Sequence, residues 1–168
     1  LIRYLVVVLF VSLLSSVSDA QQDLRIGAWR SHLPQNQGWS VTQSPNKIIY
    51  GTPWSLILIN KQELSPVFLT KTDGLSDIGI ATVDYDRFND QLFVAYDNSN
   101  IDILVDEEVI NIPNIAANTT ISGDRRINDF HFTNDELAYI STGFGIVAFD
   151  TKTLNFGFTA FTGIPIVE

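Results

Sequence analysis

Residues 137–150 read LAYISTGFGIVAFD, two short apolar runs joined by a turn of Thr142, Gly143, Phe144 and Gly145. The same pattern lies 45 positions earlier at 92–105, LFVAYDNSNIDILV, and 45 earlier again at 47–60, KIIYGTPWSLILIN. In this ungapped alignment Thr52, Asp97 and Thr142 open the turn, and Ser55, Asn100 and Gly145 close it. Leu56, Ile101 and Ile146 restart an apolar strand, and the columns Ile59, Leu104, Phe149 and Leu64, Val109, Leu154 stay in step. A self-similar period in this range, made of strands and turns with no helical periodicity, marks the blades of a β-propeller. The expected fold is therefore all-β, with four-stranded antiparallel blades.

Working outward, blade one begins near Trp39 and reads as SVTQ, then strands near Ile48–Gly51, Leu56–Ile59 and Val67–Thr70. Blade two reads ATVDYD, QLFVAY, IDILV and VINIP, and blade three reads INDFHF, ELAYIS, IVAFD and FGFTAF. These place the blades at about 39–72, 78–113 and 126–161, with KTDGLSD as the first linker and Gly163, Ile164 and Pro165 leading onward. Ile80 matches Ile127 at a spacing of 47, so the first hairpin turn of blade three is expected to be two residues shorter than that of blade two. Arg3, the apolar run Tyr4–Leu14 and the small-residue stretch ending at Ala20 form a secretory signal over 1–20, too short for a membrane span. Residues 21–168 are then expected to be the N-terminal part of a propeller. Three blades cannot close a ring, so the complete protein should carry several more, and this part alone should be poorly soluble.

Composition narrows the chemistry. Of the 168 residues 45% are hydrophobic and 17% charged, which is a globular balance, and the formal charge of −9 argues against a nucleic-acid surface. There is no cysteine, hence no disulfide framework, no thiol nucleophile and no lipid attachment at a cysteine. The two histidines, His32 and His131, stand in unrelated contexts, and His131 alternates with Phe130 and Phe132, so it points away from them. Metalloprotease, serine-hydrolase and phosphate-loop motifs are missing. No catalytic, cofactor or metal residue is assigned, and no cofactor is expected. The acidic turn Asp84, Asp86, Asn89, Asp90 offers oxygen ligands for calcium, but Phe88 interrupts it and no distal glutamate completes a loop. Its Asp and Asn residues are better read as turn formers.

Four aromatics, Trp39, Trp54, Tyr96 and Phe144, could stack on sugars; the alternative is that they pack against the next blade. Trp54 and Phe144 share a column in the turn between second and third strands, a position propellers use for binding. Asn118, Thr119 and Thr120 form a glycosylation sequon of use only in a eukaryotic secretory path.

The run GLSDIGIATVDYDRFNDQLFVAYDNS at 74–99 resembles the propeller repeats in the periplasmic sensor regions of hybrid two-component regulators. A closer resemblance spans Trp29 to Gly163: the order WRSHLPQNQG, GLSDIGI, AYDNSNIDIL, RRINDF, STGFGIVAFD, LNFGFTAFTG is similar to the PorZ N-terminal propeller family of the type IX secretion system. NSNIDIL and STGFGIVAFD are the most specific motifs. Sensor-type repeats carry Trp and Gly-Thr where this chain has Phe93 and Ala95-Tyr96, which favours the secretion family. That resemblance implies two propellers followed by a small sorting β-sandwich, display at the periplasmic or outer-membrane surface, and an attachment complex with a sortase and outer-membrane components. It also implies a non-catalytic role in presenting anionic lipopolysaccharide to the sortase. The charge of −9 places that lipid contact outside this segment. The alternatives are a glycan-binding sensor ectodomain of a two-component regulator and a secreted propeller enzyme acting on glycans.

Overall fold

The computed structural model describes residues 33–106, 108–121 and 123–161. Among these described residues twelve strands are arranged as three four-stranded antiparallel meanders, each in sequence order. The first holds β1 (Ser40–Gln43), β2 (Lys47–Gly51), β3 (Leu56–Asn60) and β4 (Pro66–Leu69). The second holds β5 (Ile80–Asp86), β6 (Gln91–Tyr96), β7 (Ile101–Val105) and β8 (Glu108–Ile112). The third holds β9 (Ile127–Phe132), β10 (Leu137–Thr142), β11 (Gly145–Asp150) and β12 (Asn155–Phe161). Successive sheets meet through their first strands, β1 on β5 and β5 on β9, so the first strands lie innermost. These are three blades of a β-propeller, and they do not close a ring. The signal read over 1–20, His32, and the onward linker from Gly163 lie outside the described residues.

Two apolar layers hold the blades together. Ile49 and Leu56 of the first sheet meet Ile80, Val83, Leu92, Val94 and Tyr96 of the second. Phe93, Ala95, Ile101 and Ile103, from the other face of the second sheet, meet Phe130, Ala138, Ile140, Val147 and Phe149 of the third. Phe93 sits in an aromatic cage, with ring centroids 5.5 Å from Phe130, 4.9 Å from Phe132 and 5.9 Å from Phe149. Strict alternation on β6, odd residues to one neighbour and even residues to the other, is what a strand buried on both faces requires. Each such large side chain contributes about 1.5–3 kcal/mol on burial.

The spacing of 45 holds for the third strands but not for the second. Ile49 pairs with Leu58, Phe93 with Ile103 and Tyr139 with Ala148, so the second strands are equivalent at spacings of 44 and 46. The turn of blade two therefore carries one residue more than its counterparts, and the ungapped columns at Asp97 and Asn100 need a gap. Ser99, with φ of 69°, absorbs the addition. Because side chains alternate, the one-residue slip reverses the faces of β6: Phe93 turns to the following blade, whereas Ala138, its match at 45, turns to the preceding one. For the same reason the first hairpin of blade three, Thr133 to Leu137, is one residue shorter than that of blade two, not two residues shorter.

A β-bulge recurs at the start of the inner strands. The register of β5 on β6 shifts between Ile80 and Thr82, and that of β9 on β10 shifts between Ile127 and Asp129. The extra residue explains why Ile80 and Val83, and likewise Ile127 and Phe130, are buried at a spacing of three where an unbroken strand would give two.

The linkers are more ordered than their sequences suggest. Lys71–Asp73 forms one 3-10 turn closed by a reciprocal cap, in which Asp73 Oδ2 accepts from the Thr70 N–H and hydroxyl at 3.0 and 2.6 Å. A four-residue helix α1 (Asn114–Ala117) follows β8, docked through Ile115. Arg125 Nη1 donates to the carbonyls of Ala116 and Asn118 at 2.9 and 2.8 Å, pinning the long linker to itself.

Candidate functional site

The turns after β2, β6 and β10 lie on the same end of the sheets as the blade linkers, here called the upper face, and are bonded to them. The Gly79 N–H donates to the Pro53 carbonyl (2.7 Å), the Asp97 N–H to the Gly79 carbonyl (2.7 Å), and the Gly143 N–H to the Arg126 carbonyl (2.9 Å). Thr52 and Thr142 close their turns identically: each hydroxyl donates to a carbonyl three residues on, at 2.9 and 2.7 Å, and accepts that residue's N–H. With the slip in place, the equivalent of these threonines is Tyr96, whose N–H donates to the Asn100 carbonyl at 3.0 Å.

Tyr96 leads to a buried polar knot. Its phenol donates to Asp102 Oδ2 at 2.5 Å; the same oxygen accepts the Ser76 N–H at 2.7 Å, and Asp102 Oδ1 accepts from Asn111 Nδ2 at 2.8 Å. Tyr96 and Asp102 are wholly enclosed. Burial first, and then the bond to Asp102, push the Tyr96 phenol far above its ordinary range. The knot fastens the linker residues Gly74, Leu75 and Ser76 to β7, so it positions structure and offers no accessible group.

The acidic turn separates into capping roles. Asp86 Oδ1 accepts the Phe88 N–H at 2.9 Å, and its Oδ2 accepts from Asn89 Nδ2 at 2.8 Å. Asn89 Nδ2 also donates to Thr151 Oγ1 at 2.9 Å, tying blade two to blade three. Asp84 Oδ1 accepts from the Thr42 hydroxyl at 2.9 Å, and Asp90 from the Tyr85 phenol. His131 is exposed on β9, opposite to Phe130. Asn118 Oδ1 accepts the N–H and hydroxyl of Thr120, a local turn on an exposed loop.

The four aromatics diverge. Phe144 is 6% exposed and belongs to the apolar layer that joins blades two and three. Tyr96 is enclosed, and Trp54 is 39% exposed. Trp39 is 65% exposed and lines a groove of about 360 Å³ on the upper face with Ala81, Asp97, Arg126 and Asn128. Trp39, Ala81 and Asn128 each precede the residue that pairs across to the second strand (Ser40 with Gly51, Thr82 with Ala95, Asp129 with Ser141). They are thus one structural column, contributed by three successive inner strands. Sequence spacing hid that column, because the three positions stand 42 and 47 apart. The apolar pairs spaced by three, Ile80 with Val83 and Ile127 with Phe130, were the readable sign of the bulge that builds it.

Arg126 reaches Asp124 Oδ2 through Nε at 2.7 Å and Nη2 at 2.6 Å. The side-chain and backbone hydrogen bonds from Arg126 hold the Asp124 carboxyl below its usual range. A second cavity of about 360 Å³ between α1 and blade three is lined chiefly by apolar groups, among them Ile115, Ile121 and Phe156. Among the described residues no cluster of three or more His, Cys, Asp or Glu could hold a metal ion, and no helix is long and apolar enough to cross a membrane.

Comparison with known proteins gives concordant results. Among solved structures, PorZ, an essential bacterial surface component of the type-IX secretion system of Porphyromonas gingivalis, superposes with a TM-score of 0.64 at 22% identity, over 73% of this chain and 16% of that one. The extracellular domain of the hybrid two component system BT4673 from B. thetaiotaomicron gives 0.62 at 14% identity, over 77% and 18%. AztD from Citrobacter koseri gives 0.52 at 16% identity, over 74% and 34%. At these identities the likeness is one of fold, and the chain spans a minor part of each relative's length. No curated protein matches. The family described as TSS9, PorZ, N-terminal beta-propeller domain matches residues 52–168. By that match, which takes in the third and fourth strands of blade one and all of blades two and three, the chain belongs to the PorZ N-terminal β-propeller domain family.

Proposed function

We propose that this chain is the leading portion of an exported, non-catalytic scaffold in a type IX secretion attachment complex, working at the cell surface with a sortase and outer-membrane components. The family match over 52–168 carries the reading. The upper face supports it, since the turn and linker carboxylates Asp73, Asp77 and Asp124, with Asp102 beneath them, are engaged in fastening the fold. In this reading the complete protein helps bring anionic lipopolysaccharide to the sortase that modifies secreted cargo. In the same reading the contact with that lipid belongs to another part of the protein, in keeping with the net charge of −9 here.

The test is affinity capture of the tagged full-length protein from cross-linked cell envelopes. Recovery of a sortase-type transpeptidase, together with loss of glycolipid-modified cargo in the deletion strain, is the expected outcome. The alternative of a sensor ectodomain has behind it a likeness of fold to BT4673 at 14% identity, and the family match favours the secretion reading over it. A membrane span and a kinase region downstream of Glu168 would establish the sensor and remove the scaffold.

A further inference from the structure

The groove on the upper face is a different kind of place from the rest of that surface. The carboxylates of the surrounding turns and linkers are spoken for: Asp77 accepts the Ile78 N–H and the Asn98 amide, and Asp124 is clamped by Arg126. Asp97 is the exception, because its carboxylate makes no hydrogen bond to any described residue, although its backbone N–H is fixed by Gly79. The same holds for the Asn128 amide and the Trp39 indole N–H, both of which line this groove.

Three unengaged polar groups of mixed character therefore sit in one cavity on an ordered frame. Asp97 is tied to Gly79; Asn128 rides on the bulge of β9; Trp39 is joined to blade one by the bond from its backbone N–H to the Gly51 carbonyl at 3.2 Å. Its indole, 65% exposed, supplies a broad apolar wall. A small number of placed polar groups beside an aromatic face, in a cleft of roughly 300–1,000 Å³, is the usual composition of a small-molecule site.

The geometry points to a binding site for a neutral pyranose ring of a glycan, stacked on Trp39 with its hydroxyls shared between Asp97 and Asn128. A hydroxyl both donates and accepts, which suits a carboxylate that only accepts, an amide that does both and an indole N–H that only donates. An ammonium group would leave the indole N–H and the amide donors unused, and would face the Arg126 guanidinium. An anionic sugar would meet the Asp97 carboxylate and the −9 charge of the chain. The site lies where one column of three inner strands converges, and it does not depend on the secretion-complex reading.

The test is calorimetric titration of the full-length protein with the neutral methyl glycosides and tri- to pentasaccharides of glucose, galactose, mannose and N-acetylglucosamine, with polygalacturonate fragments as the anionic comparison. At least one neutral series is expected to bind. Trp39→Ala and Asp97→Asn should each weaken it about tenfold or more, while Trp39→Tyr stays within about threefold. Trp54→Ala, which alters an aromatic outside the groove, should leave binding unchanged, and circular dichroism of every variant should match the parent. Absence of binding across the neutral panel would overturn the site, and so would binding indifferent to Trp39→Ala and Asp97→Asn, or tighter binding of the anionic fragments. Sortase capture is unaffected by any of these outcomes, so this site and the scaffold stand or fall separately.

Discussion

Asp102 is an acid enclosed in the layer between blades, held by three donors and paired with no cationic side chain among the described residues. Replacing it by alanine strands the Ser76 N–H and the Tyr96 phenol and takes one of three acceptors from the Asn111 amide, which keeps Asn100 Oδ1 and the Ile101 carbonyl, so Asp102→Ala should cost about 3 kcal/mol in urea unfolding. Tyr96→Phe removes one bond and leaves the other two, and should cost about 1 kcal/mol. An Asp102→Ala loss no greater than that of Tyr96→Phe would show that the carboxylate does not organise the linker. Gly143 offers a steric counterpart: a Cβ there would fall 2.6 Å from the Asp124 carbonyl oxygen, whereas one at Gly157 would meet nothing nearer than 3.5 Å. Gly143→Ala should cost about 1–3 kcal/mol and Gly157→Ala much less, read from the same unfolding curves. Tyr85 gives a pH signature. Burial first, and then its hydrogen bond to Asp90, push its phenol up to about 12, above the value near 10 of an unfolded chain. Its contribution is therefore complete below pH about 10 and lost as pH rises toward about 12. Phenolate absorbance should show this group ionising near the upper value, and Tyr85→Phe should flatten that alkaline fall in stability; a midpoint near 10 would contradict the assignment. None of the buried bonds of Asp102 could be read from residue types, because an Asp in the apolar run NSNIDIL looks the same whether it faces water or a sealed layer.

At the scale of elements, strands were the legible part. β1, β6, β7 and β9 fall on the runs SVTQ, QLFVAY, IDILV and INDFHF, because alternation marks a strand buried on one face and a short continuous apolar run such as LFVAY marks one buried on both. Helix α1 and the 3-10 turn were not legible. Each is about one turn long, too short to show a helical period, and α1 docks through Ile115 alone. The one-residue slip of β6 was hidden for a different reason: both faces of that strand are apolar, so reversing them leaves no trace in hydropathy. The groove was half legible, through Trp39, and its other walls came from unequal linker lengths. Contacts between elements can be tested through Asn89, whose amide joins the first hairpin of blade two to Thr151 of blade three. Thr151→Val should cost about 1 kcal/mol, and the double variant with Asn89→Ala should cost less than the sum of the two single changes. Strict additivity would mean that the bridge carries no coupling between the blades.

At the scale of the whole molecule, the three described blades present apolar side chains on both flanks, Val41 and Ile48 on the first and Ile146 and Phe158 on the third, all substantially exposed. Residues 21–168 expressed alone should therefore bind a hydrophobic dye strongly and associate at micromolar concentration, and a longer chain that supplies further blades should do neither. A dye-silent, monomeric 21–168 would mean that these flanks are self-sufficient. The slip in blade two bears on how such a ring is assembled from near copies. Were all blades in phase, a hairpin could be exchanged for its neighbour's with little penalty, since every core position would be filled by an equivalent residue. A blade whose middle strand is out of phase works as a keyed part: inserted into the wrong slot, it would turn Phe93 and Val94 to the wrong partners. The single additional residue near Ser99 thus acts as an address, distinguishing one repeat from the next and guarding the chain against shuffling its own blades as it folds.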